Sequence, residues 1–233
     1  MNKSLQFGSK TITYTLRYST RKTLGITVTP EMEVVVTAPQ EAGFDQIEAK
    51  LLKKAPWILK QLSYFLSFHP KNPPRQYLSG ETHLYLGRQY LLSVLQANAP
   101  EVKLRAGKLE VHTPNTSPNE VKALLQAWYR ERATLKFKTI AAPLIQRFEK
   151  YDVAPAELRL QHMPTRWGSC TPKGKIILNP ELIKAPRPCI EYVIVHELCH
   201  LIYHDHTARF LALQTREMPD WVKWKDKLER LLA

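Results

Sequence analysis

Residues 193–202 constrain the fold of this chain more than any other stretch, because an apolar segment there carries two imidazoles and a carboxylate. His196 and His200 stand four residues apart, so on a helix both rings project from one face. The aliphatic residues around them predict a buried helix. Burying two imidazoles and Glu197 is costly unless they have partners, and a divalent metal ion supplies those partners.

A third protein ligand is expected, because a hydrolytic zinc ion usually takes three protein ligands and one water. His206 is the first candidate, since the polar residues before it allow the helix to end and the chain to turn back. His204 is the alternative, but three ligands in line along one rigid helix cannot close a tetrahedral site. Asp205 is a further candidate, either as a ligand or as a group that orients a histidine. We predict one zinc ion per chain, bound by the first two histidines and His206.

Glu197 follows the first histidine directly and can reach a water in the open position of the metal. The arrangement predicts a metal hydrolase in which Glu197 is the general base. A peptide bond is the expected substrate, with an exposed edge strand near Lys175–Leu178 holding the extended peptide. Tyr203 or Tyr192 is expected to stabilise the oxyanion.

Two other functions use the same residues differently. A nucleoside triphosphate pyrophosphatase would attack phosphorus with the same centre and bind the phosphates with basic side chains. The basic residues around the expected site are Arg159, Arg166, Lys173 and Lys175. A DNA- or RNA-associated protein with a structural metal is the other alternative, but a structural site has no use for a base such as Glu197.

The charge balance favours polyanionic partners. Thirty-four Lys and Arg against 21 Asp and Glu give a net charge of +13 and a pI near 9.7, which favours association with nucleotides or nucleic acid. A merely basic soluble protein explains the same numbers. The chain has three cysteines, so at least one cannot pair within it, which suits a reducing compartment. No apolar run reaches the roughly 18 residues of a membrane span. The first residues lack the apolar core of a secretory signal. We therefore expect a cytoplasmic protein with no membrane association.

Hydrophobic periodicity predicts an α+β protein with two regions, a β-rich region at 1–115 and a catalytic region at 116–233. The first region contains a helical segment near 44–65 that we expect Pro56 to break. The second begins with a long basic helix from Val121 to about Tyr151, which Ser117 can cap. No internal repeat is apparent. The predicted strands cover residues 11–18, 34–36, 82–86, 90–95, 102–105, 109–112, 158–162 and 175–178, the last two flanking a loop at 167–170.

Several segments resemble the YgjP-like metallopeptidase domain, a relative of the SprT-like zinc proteases. They are Arg166–Cys170, Ile176–Asn179, Ala185–Pro186, Tyr192–Leu201, His206, Phe210 and Pro219–Trp221. The resemblance implies zinc on His196, His200 and His206, with Glu197 as the catalytic carboxylate.

The fold that the resemblance implies is a minimal zincin-like metallohydrolase domain, preceded by the β-rich N-terminal region. Such a domain has a long support helix, a small sheet and an active-site helix with the His-Glu-x-x-His motif. SprT-like relatives act on proteins attached to DNA, which makes a DNA-associated protease a further possibility. Position 203 is Tyr, whereas metzincins with the same histidine offset have Gly there, so their Met-turn is not assigned to Met218.

Overall fold

Contacts within the chain separate it into two units, Met1–Pro73 and Pro74–Ala233. The computed structural model describes residues 2–8, 10–29, 31–66 and 75–232. Within those ranges it contains five α-helices and three small sheets, which is the mixed α+β class predicted from the sequence. No helix in the described ranges is both long enough and apolar enough to cross a lipid bilayer.

These two units do not coincide with the predicted regions 1–115 and 116–233. The difference arises because the strands between residues 82 and 113 share one hydrophobic core with the long helix that follows them. Leu92, Leu109 and Val111 of those strands are buried in the same cluster as Val121 and Leu125 of the helix. A boundary inside this cluster would expose apolar surface on both sides.

The first unit is a four-stranded sheet with one helix on it. The strand order is β1-β2-β4-β3, with β2 and β4 parallel and the outer pairs antiparallel. Alternate residues of β2 and β4 point to one face and are buried against the apolar side of the helix. The elements are β1 (Asn2–Phe7), β2 (Lys10–Ser19), β3 (Gly25–Val28), β4 (Val34–Pro39) and α1 (Phe44–Leu66).

The predicted break at Pro56 is wrong, because α1 runs without interruption from Phe44 to Leu66 with Pro56 inside it. Proline removes the N–H that would bond the carbonyl of Leu52. Leu52 is exposed, which leaves that carbonyl to water. Ala55 and Ile58, on either side of the proline, are fully buried in the core of the unit and keep the helix in line.

The second unit begins with a sheet that has the same strand order and directions as the first. Its order is β5-β6-β8-β7, with β6 and β8 parallel and the outer pairs antiparallel. A helix again follows, α2 (Pro118–Phe148), where the long helix was predicted. A 3-10 turn extends it to Tyr151. Ser117 occupies the N-cap position of α2, but its side chain makes no capping hydrogen bond. The strands are β5 (Thr82–Tyr85), β6 (Arg88–Gln96), β7 (Glu101–Arg105) and β8 (Lys108–Thr113).

The rest of the second unit is a three-stranded sheet and three helices. The predicted edge strand at Lys175–Leu178 is wrong, because this strand is central in the order β10-β11-β9. An edge is formed instead by residues 168–170, which the sequence placed in a loop. The elements are β9 (Glu157–Leu160), β10 (Gly168–Cys170), β11 (Lys175–Leu178), a 3-10 helix (Pro180–Lys184), α3 (Arg187–Cys199), α4 (Ala208–Glu217) and α5 (Trp221–Leu232).

The turn between β5 and β6 contacts the start of α3. The Leu86 and Gly87 amides donate to the carbonyls of Ile183 (2.8 Å) and Lys184 (3.0 Å). Gly87 has a φ of +78°, and a Cβ on it would lie 2.6 Å from Cγ and 2.9 Å from Cα of Pro186, the residue that precedes α3. Only glycine fits there. The corresponding turn of the first unit has Gly8 at φ +59°, and a Cβ on it would meet no described atom within 4 Å.

Candidate metal centre

Two of the three predicted ligands lie at the end of α3. The helix carries His196 in its last turn and ends at Cys199, and His200 is its C-cap. His206 approaches from beyond the helix, so that one nitrogen from each ring lies within 4.8 Å of the others. The Nε2 atoms of His196 and His206 are 3.0 Å apart. The structure thus brings together the three histidines selected from the sequence.

A tight turn after α3 returns the chain to the first histidine. The amides of Leu201 and Ile202 donate to the carbonyls of Leu198 and Cys199. Thr207 then caps α4, its hydroxyl accepting from the amide of Phe210. His206 therefore stands at the junction of the turn and α4. His204 and Asp205, which precede it, do not belong to the histidine cluster.

Hydrogen bonds hold two of the rings in a definite orientation. His196 Nδ1 lies 3.1 Å from the side-chain oxygen of Gln214, and His200 Nδ1 lies 3.0 Å from the carbonyl of Tyr203. Both partners are acceptors, so each Nδ1 carries the proton and each Nε2 keeps a lone pair. Two Nε2 atoms 3.0 Å apart, with a nitrogen of the third ring within 4.8 Å of them, fit a shared cation. The donor set suits zinc, which binds neutral imidazole readily.

Two residues of α4 support the cluster. The ring of Phe210 lies 4.6–5.0 Å from the centroids of all three imidazoles and closes one side of the site. Gln214, only 1% exposed, provides the bond to His196. The sequence reasoning assigned no role to Phe210 and missed Gln214. Their i, i+4 spacing places both on one face of a helix directly after His206, and that pattern was the available signal.

Glu197 lies beside the histidines and is almost completely buried, with 4% of its surface exposed. Burial raises the pKa of its carboxyl to about 8, although the charge of Arg166 and the amide of Cys170 oppose the shift. Burial and the neighbouring His200 lower the pKa of His196 to about 4, and burial also lowers the pKa of His200. At neutral pH the rings of His196 and His200 are therefore uncharged, the form in which imidazole binds a metal.

Gly168 allows strand β10 to approach α3 closely. A Cβ on this residue would lie 2.5 Å from the Oε1 atom of Glu197 and 2.8 Å from the Cγ1 atom of Val193. Any larger residue would displace the carboxylate or the strand. Residues 168–170, which the sequence placed in a loop, therefore form a strand packed against Glu197.

A cavity of about 740 Å³ opens in front of the histidines and Glu197. Of the predicted substrate-binding residues, Arg166 lines it, whereas Lys173, Lys175 and Tyr203 do not. Lys175 instead pairs with Glu157 at 2.8 Å. Asp205 is also outside the lining. The other lining residues are Thr165, Trp167, Gly168, Ser169, Cys170, Pro172, Tyr192, Val193 and His204.

Comparison with known proteins found a matching family model. The family model described as the YgjP-like metallopeptidase domain matches residues 22–231, which is nearly the whole chain. The match includes the histidine cluster, Glu197 and the helices that support them. No curated protein and no solved structure matches the chain.

Proposed function

The chain belongs to the YgjP-like metallopeptidase family, and we propose that it is a zinc-dependent peptidase with a His196, His200 and His206 centre. The single observation that carries the proposal is the position of Glu197. This carboxyl is buried beside the three histidines and faces the same cavity. A site that only stabilised the fold would be closed by a fourth ligand and would have no use for a base there.

Zinc, when bound, would polarise a scissile carbonyl and activate a water. Glu197 would accept a proton from the water and pass it to the leaving nitrogen. Burial raises the pKa of this carboxyl, and a bound dication beside it would lower the pKa again, so that the carboxyl could take up and release a proton near neutral pH. The Gln214 side chain and the Tyr203 carbonyl would keep the His196 and His200 rings aimed at the ion.

Tyr192 is our choice for the oxyanion donor over Tyr203. It lines the cavity, and its ring lies 6.0 Å from that of His196. Burial raises the pKa of its hydroxyl, so the hydroxyl keeps its proton and can donate to a developing negative charge. Tyr203 is outside the lining and contributes its backbone carbonyl to His200 instead.

An extended peptide would bind along β10 rather than along β11. Residues 168–170 line the cavity, and β10 has a neighbour on one side only within its sheet. A peptide added to this free edge would pass the histidines with its main chain hydrogen-bonded to the protein. Substrate side chains would then alternate between the cavity and the solvent.

Metal analysis tests the ligand assignment. We expect about one zinc per chain in the wild type, from the one three-histidine cluster found among the described residues. His206→Ala should lose the metal, whereas the matched variant His204→Ala should retain it. The opposite result would show that His204 is the ligand.

Substrate assays on wild type and Glu197→Gln test the reaction. We expect the wild type to cleave casein or unfolded peptides, and Glu197→Gln to keep its zinc while turnover falls about 10³-fold. A panel of nucleoside triphosphates runs beside the peptides. Pyrophosphate release that requires Glu197, without peptide cleavage, would replace the peptidase proposal with the pyrophosphatase alternative.

The structure gives the pyrophosphatase less support than the sequence did. A triphosphate needs several cations in the cavity, and of the four basic residues proposed for this role only Arg166 lines it. Arg159 lines a different hollow, of about 300 Å³, together with Arg130 and Lys138.

DNA-attached proteins remain proposed substrates because of the +13 charge. We also propose a cytoplasmic location, in keeping with three free cysteines.

A further inference from the structure

The solvent side of α1 carries a stripe of lysines around one tryptophan. Its members are Lys50, Lys53, Lys54, Trp57 and Lys60, and all are exposed. The lysines lie at offsets of −7, −4, −3 and +3 from Trp57, so they surround it on one face of the helix. The indole is 42% exposed. We call this set the lysine–tryptophan stripe.

The charges of the stripe are uncompensated. Within the described part of the first unit, no carboxylate forms an ion pair with any of the four lysines. The acidic residues of α1 are Asp45 and Glu48, which lie on other sides of the helix. Burial raises the pKa of the Tyr14 hydroxyl, and the nearby Glu48 carboxylate adds to that shift. Four neighbouring cations without counter-ions attract a polyanion.

The indole of Trp57 is also uncommitted. No cation and no other ring contacts it among the described residues. Trp224 on α5 provides the contrast, because the Nζ atoms of Lys223 and Lys227 lie 4.8 Å and 5.8 Å from its ring centroid. Lysines therefore cover the ring of Trp224, whereas the ring of Trp57 faces solvent with its lysines beside it.

An open indole flanked by cations matches the chemistry of single-stranded nucleic acid. Unpaired bases stack on aromatic rings and lysines neutralise the adjacent phosphates. A duplex hides the faces of its bases, so it would use the lysines but not the indole. Lys50 and Lys60 are ten residues apart, about 15 Å along a helix, which is long enough to follow a few nucleotides.

A membrane surface fits the stripe less well. Amphipathic helices that lie on membranes insert a broad apolar face between the lipids. The apolar face of α1, with Ile47, Leu51, Ala55 and Ile58, is instead buried against the sheet of the first unit. We propose that the lysine–tryptophan stripe of α1 binds single-stranded DNA or RNA by base stacking on Trp57 and phosphate contacts to Lys50, Lys53, Lys54 and Lys60.

The test measures binding of a fluorescein-labelled oligo(dT) and oligo(U) to the full-length chain over a range of salt concentrations. Lys53→Glu/Lys54→Glu should weaken binding at least tenfold and should flatten the salt dependence, because fewer phosphate contacts release fewer ions. The matched control is Lys223→Glu/Lys227→Glu, which makes the same change in net charge on another exposed helix. The control should weaken binding only slightly. Equal losses in both variants would overturn the proposal, since net charge alone would then explain the binding.

A second pair of variants tests the stacking. Trp57→Ala should weaken binding about tenfold, whereas Trp57→Phe should retain most of the affinity because it keeps an aromatic face. The side chain is exposed, so neither change threatens the fold, and circular dichroism checks this. An unchanged affinity of Trp57→Ala would overturn the proposal, as would stronger binding to a duplex, to polyglutamate or to vesicles of anionic phospholipid. Binding and peptide hydrolysis are measured separately, so this proposal can fail while the peptidase proposal stands.

Discussion

The two four-stranded sheets have the same strand order and are each followed by a helix, yet they are used differently. In the second unit, the β5–β6 turn bonds to the segment before α3, and α2 packs against α3 and the 3-10 helix that precedes it. In the first unit, a Cβ on Gly8 of the corresponding turn would meet no described atom within 4 Å, and the solvent side of α1 carries lysines. The same arrangement of strands and helix thus supports the candidate metal centre in one unit, whereas in the other its helix presents a charged surface.

The two units also differ in the kind of residue that each of them buries. Every buried polar or charged residue in the described ranges belongs to the second unit: His83, Thr113, Asn179, Glu197, Gln214 and Glu217. Glu217 shows the cost of such burial, because it needs Arg147, Lys150 and the Tyr151 hydroxyl as partners. The buried residues of the first unit are hydrophobic. Buried polar groups accordingly mark the unit that we propose is catalytic.

The largest expected effect comes from a matched pair of core substitutions. Leu51 of α1 and Leu125 of α2 are each 1% exposed and each lies four residues after a buried aliphatic residue. Each change to Ala should cost about 3 kcal/mol of unfolding free energy. Hydrogen exchange with mass spectrometry should show faster exchange only in residues 1–73 for Leu51→Ala and only in residues 74–233 for Leu125→Ala. Faster exchange in both units from either variant would show that they unfold together.

A smaller difference is expected at the two turn glycines. Gly8→Ala should cost about 1 kcal/mol because of its positive φ. Gly87→Ala should cost about 2–3 kcal/mol, since its Cβ also collides with Pro186. The variant should in addition bind zinc more weakly, because Pro186 precedes the helix that carries His196. Urea unfolding and zinc titration measure both effects, and equal unfolding costs would contradict the contact.

The smallest effect is a loss of unfolding free energy at acidic pH. Burial lowers the pKa of His83 to about 4, with Arg75 and Lys184 adding to the shift and Glu81 opposing it. Between pH 6.5 and 4 the unfolded chain binds a proton that the folded chain excludes, so stability falls as the pH falls. We expect the second unit to lose about 1–2 kcal/mol between pH 6.5 and pH 5 from this residue.

His83→Gln supplies the control for that measurement, because it removes the titrating ring. Pulse proteolysis at each pH follows the two units separately. The first unit has no histidine among its described residues and should show a flatter profile over this range. A profile that is unchanged by His83→Gln would show that other groups cause the acid sensitivity.

Local patterns in the sequence predicted much of the secondary structure. Period-two alternation predicted β2, and short runs bounded by turn glycines predicted most of β6 and β8. Helical periodicity predicted α2 to within three residues at each end. These predictions succeeded because each pattern depends on residues that are close together in the chain. The histidine spacing likewise selected the three residues that the structure brings together.

Predictions that depended on distant residues were less successful. Pro56 does not break α1, because burial of Ala55 and Ile58 outweighs the missing hydrogen bond. Lys175–Leu178 was placed at an edge, but the order of strands in a sheet depends on partners outside the segment. Two of the predicted substrate cations, Lys173 and Lys175, lie outside the cavity lining for the same reason.

The sequence by itself selected the residues of the candidate site: His196, Glu197 and His200 in one helical repeat, with His206 after a turn. Only the tertiary structure decided how these residues are supported. Gly168 lets its strand pack against Glu197, and Gln214 forms a hydrogen bond with His196. Gly87 fits against Pro186, which precedes the helix that carries the first two histidines. The tertiary structure also decided that the two sheets share one topology. The physical reason is that spacing along a helix follows from local geometry, whereas close contact between separate elements depends on how the whole unit packs.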